Sequence, residues 1–138
     1  MHTPQSASEV ARRYHETWNE HNTKKIVDWF TPEGFYSNPD THPGVRGEAL
    51  TTHLNGLWNL VPDLHLVMLD TGEIKQNLIV HHWTCTGTVS VAGPDGGEPT
   101  PRTFSFKGVS IVQVEGDKIA SDHVYFDRKG IDEQLAAN

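Results

Sequence analysis

Apolar and polar residues alternate along two long runs, 102–114 and 118–127, joined by Glu115-Gly116-Asp117. Alternation sends successive side chains to opposite faces of a strand, and a Gly-containing turn between two such runs predicts an antiparallel hairpin. On the first strand Phe104, Phe106, Ser110 and Val112 share a face, with Gly108 among them thinning the wall beside Ser110. On the second, Ala120, Asp122, Val124 and Phe126 share one. Asp122 is the odd group there: an acid flanked at two-residue spacing by Ala and Val is either solvated at an edge or buried with a raised pKa.

Earlier in the chain the period is helical. Ser6 and Glu9 stand in capping-box spacing, and Val10, Tyr14 and Trp18 follow at helical intervals, which predicts a helix over 6–20. Ile26, Val27 and Phe30 mark a short second helix ended by Pro32 and Gly34, and 35–38 is a brief extended piece. A third helix follows Gly47, carries Leu50, Leu54, Leu57 and Trp58, and stops at Pro62. From Leu64 the period becomes that of a strand, and 65–74 and 78–89 pair as a second hairpin across Lys75-Gln76-Asn77. The connection AGPDGGEPTP, 92–101, is too rich in Gly and Pro for an ordered element to be expected, and the tail from Arg128 is anchored by Ile131 and Leu135. Helices first and strands after them predict an α+β layering, with helices on one face of a curved antiparallel sheet.

Composition narrows the partners. The 138 residues suit one domain, 1–138, large enough to enclose a pocket. The net charge of −7, with no basic cluster to offset it, excludes nucleic acid and anionic membrane as expected partners. No segment approaches the roughly 20 apolar residues of a membrane span and the N-terminus lacks a signal core, so a soluble, cytoplasmic protein is expected. One cysteine, Cys85, excludes an internal disulfide. The nine histidines show no metal-site spacing, and no glycine-rich phosphate loop is present, so neither metal nor cofactor is expected.

Tyr36-Ser37-Asn38-Pro39, Val45-Arg46-Gly47-Glu48-Ala49, Val61-Pro62-Asp63-Leu64, Gly116 through Ile119, Tyr125-Phe126-Asp127 and Gln134-Leu135 occur in an order and spacing that resemble the SnoaL-like polyketide cyclases. Limonene epoxide hydrolase is a more distant likeness. The resemblance implies a nuclear transport factor 2-like fold: a cone-shaped curved sheet with three N-terminal helices enclosing an apolar pocket, often as a homodimer through the outer sheet face. It also implies a catalytic carboxylate just before the aromatic-x-Asp ending of the last strand, where this chain has Val124. The cyclases' pocket histidine and glutamine fall on Ser110 and Gly108, and the hydrolase's arginine and second aspartate on His82 and Thr84. The Tyr-x-Asn element is retained as Tyr36 and Asn38.

A site with rearranged chemistry follows. Asp122 lies two residues before Val124, about 7 Å away on the same strand face, and desolvation there would make it an effective general base; the structural alternative is an Asp at a sheet edge. His81 and His82 face opposite sides of their strand, and the resemblance assigns His82 to the pocket with Leu78, Val80, Thr84 and Thr86, where it would meet Tyr36 across the cavity. Tyr36 and Asn38 can hold a carbonyl oxygen without titrating, although an Asn before a turn also serves the backbone. Tyr14, Trp18, Phe106 and Ser110 complete the expected substrate wall. Ile79, His81, Trp83 and Cys85, with Val109 and Ile111, then form the apolar outer surface of a homodimer. The expected function is an acid/base enzyme of cyclase, isomerase or lyase type acting on an apolar, oxygenated small molecule of polyketide or other natural-product metabolism. A hydrolase of the epoxide type and a non-catalytic binding protein are the alternatives.

Overall fold

A computed structural model describes residues 6–93 and 96–136. The first helix, α1 (Ala7–Trp18), starts where Ser6 Oγ accepts a hydrogen bond from the Glu9 N–H at 3.1 Å, and it buries the stripe Val10, Tyr14 and Trp18. The second, α2 (Thr23–Asp28), is capped in the same way by Asn22. It ends before Phe30, and Pro32 and Gly34 lie inside strand β1 (Phe30–Ser37) rather than stopping the helix. A proline is tolerated there because β1 is an edge strand, with its register interrupted between Phe30 and Phe35. Helix α3 (Gly47–Leu60) buries Leu50 and Leu54.

Four strands follow: β2 (His65–Lys75), β3 (Leu78–Val91), β4 (Thr100–Glu115) and β5 (Lys118–Phe126). The sheet order is β1-β5-β4-β3-β2, antiparallel throughout except for the parallel pair β1 and β5. Local pairing of β2 with β3 and of β4 with β5 is what the alternation predicts. The fifth strand, β1, is added by tertiary folding. Gly116, at φ 65°, supplies the left-handed conformation the β4–β5 turn requires. The tail forms a fourth helix, α4 (Arg128–Ala136), held to β4 by Gln134, whose side chain accepts from the Ser105 N–H at 2.8 Å and donates to the Ser105 carbonyl at 2.9 Å. The connection around 92–99 is largely exposed, and its residues 94 and 95 lie outside the described ones.

Two phases differ from the sequence reading. On β3 the buried residues are Ile79, His81, Trp83, Cys85, Gly87 and Val89, while His82 and Thr84 are on the outer face. Alternation defines two faces without saying which is covered. Here the face with the larger apolar volume goes inside, and Trp83 is accommodated because it pairs with Gly108 on β4: a Cβ at that glycine would stand 2.3 Å from Trp83 Cη2. The room Gly108 leaves is thus filled by the indole. The outer apolar surface expected from Ile79, His81, Trp83 and Cys85 does not form, although Val109 and Ile111 do lie outside, opposite His82 and Val80. On β5 the register shifts between Gln113 and Val114, and Ile119, rather than Ala120, is the fully buried residue before Asp122. A bulge adds one residue and so reverses the alternation locally.

Candidate functional site

A cavity of about 150 Å³ opens between the helices and the covered face of the sheet. Its walls are mainly apolar, with Trp18 from α1, Leu57 from α3, Trp83 from β3, Phe104 and Phe106 from β4, and Val124 and Phe126 from β5. Aromatic packing fixes them: Phe106 stands 5.1 Å from Phe126 and 5.8 Å from Trp83, ring centre to ring centre.

The polar groups of the inner end converge on one carboxyl. Asp122 lines the cavity and has no exposed surface. Its Oδ2 accepts the Tyr14 hydroxyl proton at 2.6 Å, and its Oδ1 has no hydrogen-bond partner. Burial pushes its pKa up to about 7, against the opposing effects of the Tyr14 hydroxyl and then of Ser110. A carboxyl of that pKa is half ionised near neutrality, the condition under which it serves best as a general base. The Tyr14 phenol is driven well above its usual range, first by burial and then by the neighbouring carboxylate, so it keeps its proton and donates it to Asp122 Oδ2.

Behind Asp122 lies a buried imidazole pair. His15 Nε2 is 3.9 Å from Asp122 Oδ2, and His15 Nδ1 meets Nδ1 of His81. Burial, then the neighbouring imidazole, holds His15 well below its normal pKa, and burial lowers His81 to about 4. Both rings are therefore neutral near pH 7, and one must carry its proton on Nδ1 and donate it to the other. Ser110, almost fully buried, accepts the Trp83 indole N–H at 2.9 Å. Cys85, also in the wall, has its thiol pushed up to about 12 by burial and is held as the neutral thiol.

The remaining polar groups stand nearer solvent. Asn38 Nδ2 donates to the Tyr36 oxygen at 3.1 Å, while Asn38 Oδ1 accepts from the Asp40 and Thr41 N–H groups at 2.8 and 2.9 Å. Asn38 thus serves the following loop and orients the phenol at once. Burial, then the Asp122 charge, raises the Tyr36 pKa, so this phenol too is a donor. Asp40 and Arg128, both half-exposed, pair at 3.6 Å in the cavity lining, and His53, its ring centre 5.7 Å from that of Tyr36, lines the cavity too.

Of the residues picked out in the sequence, Asp122, Tyr36, Asn38, Trp18, Phe106, Ser110 and Val124 line the cavity. Tyr14 is buried behind it and touches Asp122 instead. His82 and Thr84 do not belong to the cavity: His82 lies on the outer face, 3.2 Å from Asp70 across β2, and no pairing with Tyr36 forms. The buried imidazole on β3 is His81, one residue away. His15 and His53 escaped sequence reasoning, although the signal was helical spacing from apolar residues: His15 stands four residues after Ala11, and His53 three after Leu50 and four before Leu57.

A family model described as SnoaL-like polyketide cyclase matches residues 8–135. No curated protein matches the chain. Among solved structures, IdmH of Streptomyces antibioticus, a proposed polyketide cyclase, superposes with a TM-score of 0.79 at 18% identity, covering 96% of this chain and 100% of its own. TsrD of Streptomyces laurentii gives 0.71 at 22% identity, over 94% and 97%. AclR of Streptomyces galilaeus, a proposed hydroxylase, gives 0.74 at 16%, over 94% of each chain. At these identities the likeness concerns the fold alone.

Proposed function

The chain belongs to the SnoaL-like polyketide cyclase family, and on that premise we propose that it is an acid/base enzyme of cyclase or isomerase type. Its substrate is a small, mostly apolar molecule bearing a ketone, of the kind polyketide metabolism supplies. The supporting observation is the Asp122 carboxyl: fully buried in an apolar cavity, held on one oxygen by Tyr14, unpartnered on the other, with its pKa at about 7. In this reading Asp122 removes a proton from the carbon beside the carbonyl, and Tyr36, oriented by Asn38, donates to the carbonyl oxygen. His15 is the near neighbour with which the protonated carboxyl can share its proton. Asp122 takes over on β5 the part that family members assign to the position of Val124, and the pleat keeps the two on one face.

Solvent-deuterium exchange at acidic C–H positions of polyketide-type ring ketones, followed by NMR, tests this whatever the final product is. Asp122→Asn keeps the shape and removes the titrating group, so exchange should fall by about 10² or more with little change in ligand affinity. Unchanged exchange would overturn the assignment.

We further propose that the outer sheet face makes a homodimer. Val67 and Tyr125, 46% and 57% exposed, lie there with half-buried Val80, Val109 and Ile111, and exposed apolar groups gathered on one face mark a contact. Sedimentation at micromolar concentration should give a dimer; a monomer would refute this arrangement. No helix among the described residues is long and apolar enough to cross a membrane.

A further inference from the structure

Among the described residues, three buried side-chain polar atoms lack a hydrogen-bond partner: Trp18 Nε1, His53 Nε2 and Asp122 Oδ1. All three belong to residues that line the cavity. A buried polar atom left unpaired costs about 1–3 kcal/mol, so a cluster of them in one cavity wall points to a ligand that supplies the partners. Two of the three stand together. Tyr14 bonds Asp122 Oδ2 at 2.6 Å and stands edge-on to Trp18, with ring centres 6.5 Å apart. Trp18 and Asp122, the residues that carry the unpaired donor and the free oxygen, are therefore both neighbours of Tyr14 and both line the cavity.

An indole N–H can only donate, so the ligand atom it meets must be an acceptor, whereas the carboxylate needs a donor or an acidic C–H. An acceptor oxygen next to an abstractable proton is the pattern of an enolisable ketone. We propose that the Trp18 indole N–H is a catalytic hydrogen-bond donor that binds the substrate's carbonyl oxygen and stabilises the enolate formed when Asp122 Oδ1 takes the neighbouring C–H proton. The step balances within the pocket. The C–H electron pair becomes the new C–C π bond, the carbonyl π pair moves to oxygen, and the proton sits on Asp122 until it is returned to carbon or to the new alkoxide. The Trp18 ring is fixed for this task between Tyr36 at 5.4 Å and Trp58 at 5.8 Å, with Tyr14 edge-on at 6.5 Å. Tyr36, whose oxygen already accepts from Asn38, keeps its own proton as a second donor on the neighbouring ring. The site thus selects for a ketone whose oxygen lies beside the enolising carbon at the buried end of the molecule.

The inference rests on the acid/base reading of Asp122, and binding measurements separate the two. The probes are naphthalene and 2-naphthol, the second being the same ring system with an oxygen that models the enolate. The proteins are the wild type, Trp18→Phe, Asp122→Asn and the double variant, the Asn standing for the protonated carboxyl. Trp18→Phe keeps an aromatic wall and deletes the N–H, so naphthalene affinity should change less than threefold and 2-naphthol affinity should fall about tenfold or more, most clearly in the Asp122→Asn background, where absorbance reports bound naphtholate. Equal losses for both probes, no loss for either, or failure of 2-naphthol to bind the wild type would overturn the role of Trp18. The Asp122 reading fails separately, if Asp122→Asn leaves the bound naphtholate fraction unchanged.

Discussion

Replacing Asp122 by Asn should stabilise the protein, and by an amount that depends on pH. The folded-state pKa of Asp122 is about 7, against an ordinary value of 3.8, so 7 − 3.8 gives a shift of about 3 units. At about 1.36 kcal/mol per unit, ionising this group inside the fold costs about 4 kcal/mol. Asp122 is fully buried, so solvent screening does not reduce that cost. The folded pKa lies above the unfolded one, so between about pH 4 and pH 7 the folded state binds more protons, and the stability tied to the protonated group is lost as pH rises. Asn remains neutral and can still accept the Tyr14 proton. Urea unfolding of wild type and Asp122→Asn should show a stability gap of about 1 kcal/mol at pH 4.5, about 3 at pH 6 and about 4 at pH 8, level thereafter. His15 and His81, both shifted down, act in the opposite sense, losing stability as pH falls below about 6.5. Above about pH 7.5 both are neutral in either state, so the gap at pH 8 is free of them. A gap independent of pH, or an Asn variant less stable at pH 8, would refute the buried-acid account. The stability that wild type forgoes is the counterpart of burying a carboxyl in the cavity wall.

Two other outcomes follow from the same geometry. Tyr14→Phe preserves the edge-on contact with Phe30 at 5.5 Å but removes the donor that favours the ionised carboxyl. The rising limb of the kcat/KM profile should move upward by about one pH unit, and an unmoved limb would show that Asp122 is not the titrating base. Gly108→Ala places a methyl 2.3 Å from Trp83 Cη2, which forces the indole off its bond to Ser110 and should lower stability by about 1–3 kcal/mol in denaturant unfolding; an unchanged midpoint would mean that the ring is free to move.

The sequence by itself determined the elements whose signals are local. Capping at Ser6, the helical stripe Val10, Tyr14 and Trp18, the two hairpins and their turns all depend on neighbours a few residues apart, and each appears where the pattern put it. Asp122 was legible too, as an acid at an apolar alternation, and so was the Tyr36-Asn38 pair. What the tertiary structure decided was phase and company. Alternation on β3 is symmetric between its two faces, and the choice of His81 over His82 was made by Trp83 finding Gly108 across the strand pair, a contact between residues 25 positions apart. The parallel addition of β1 beside β5 joins segments about 85 residues apart and carries no local mark. His15 stands 66 residues from His81 and Tyr14 108 from Asp122, so the group around the buried carboxyl exists only once α1 has packed across the sheet. Desolvation by that packing, rather than any residue alone, is what raises the Asp122 pKa to about 7.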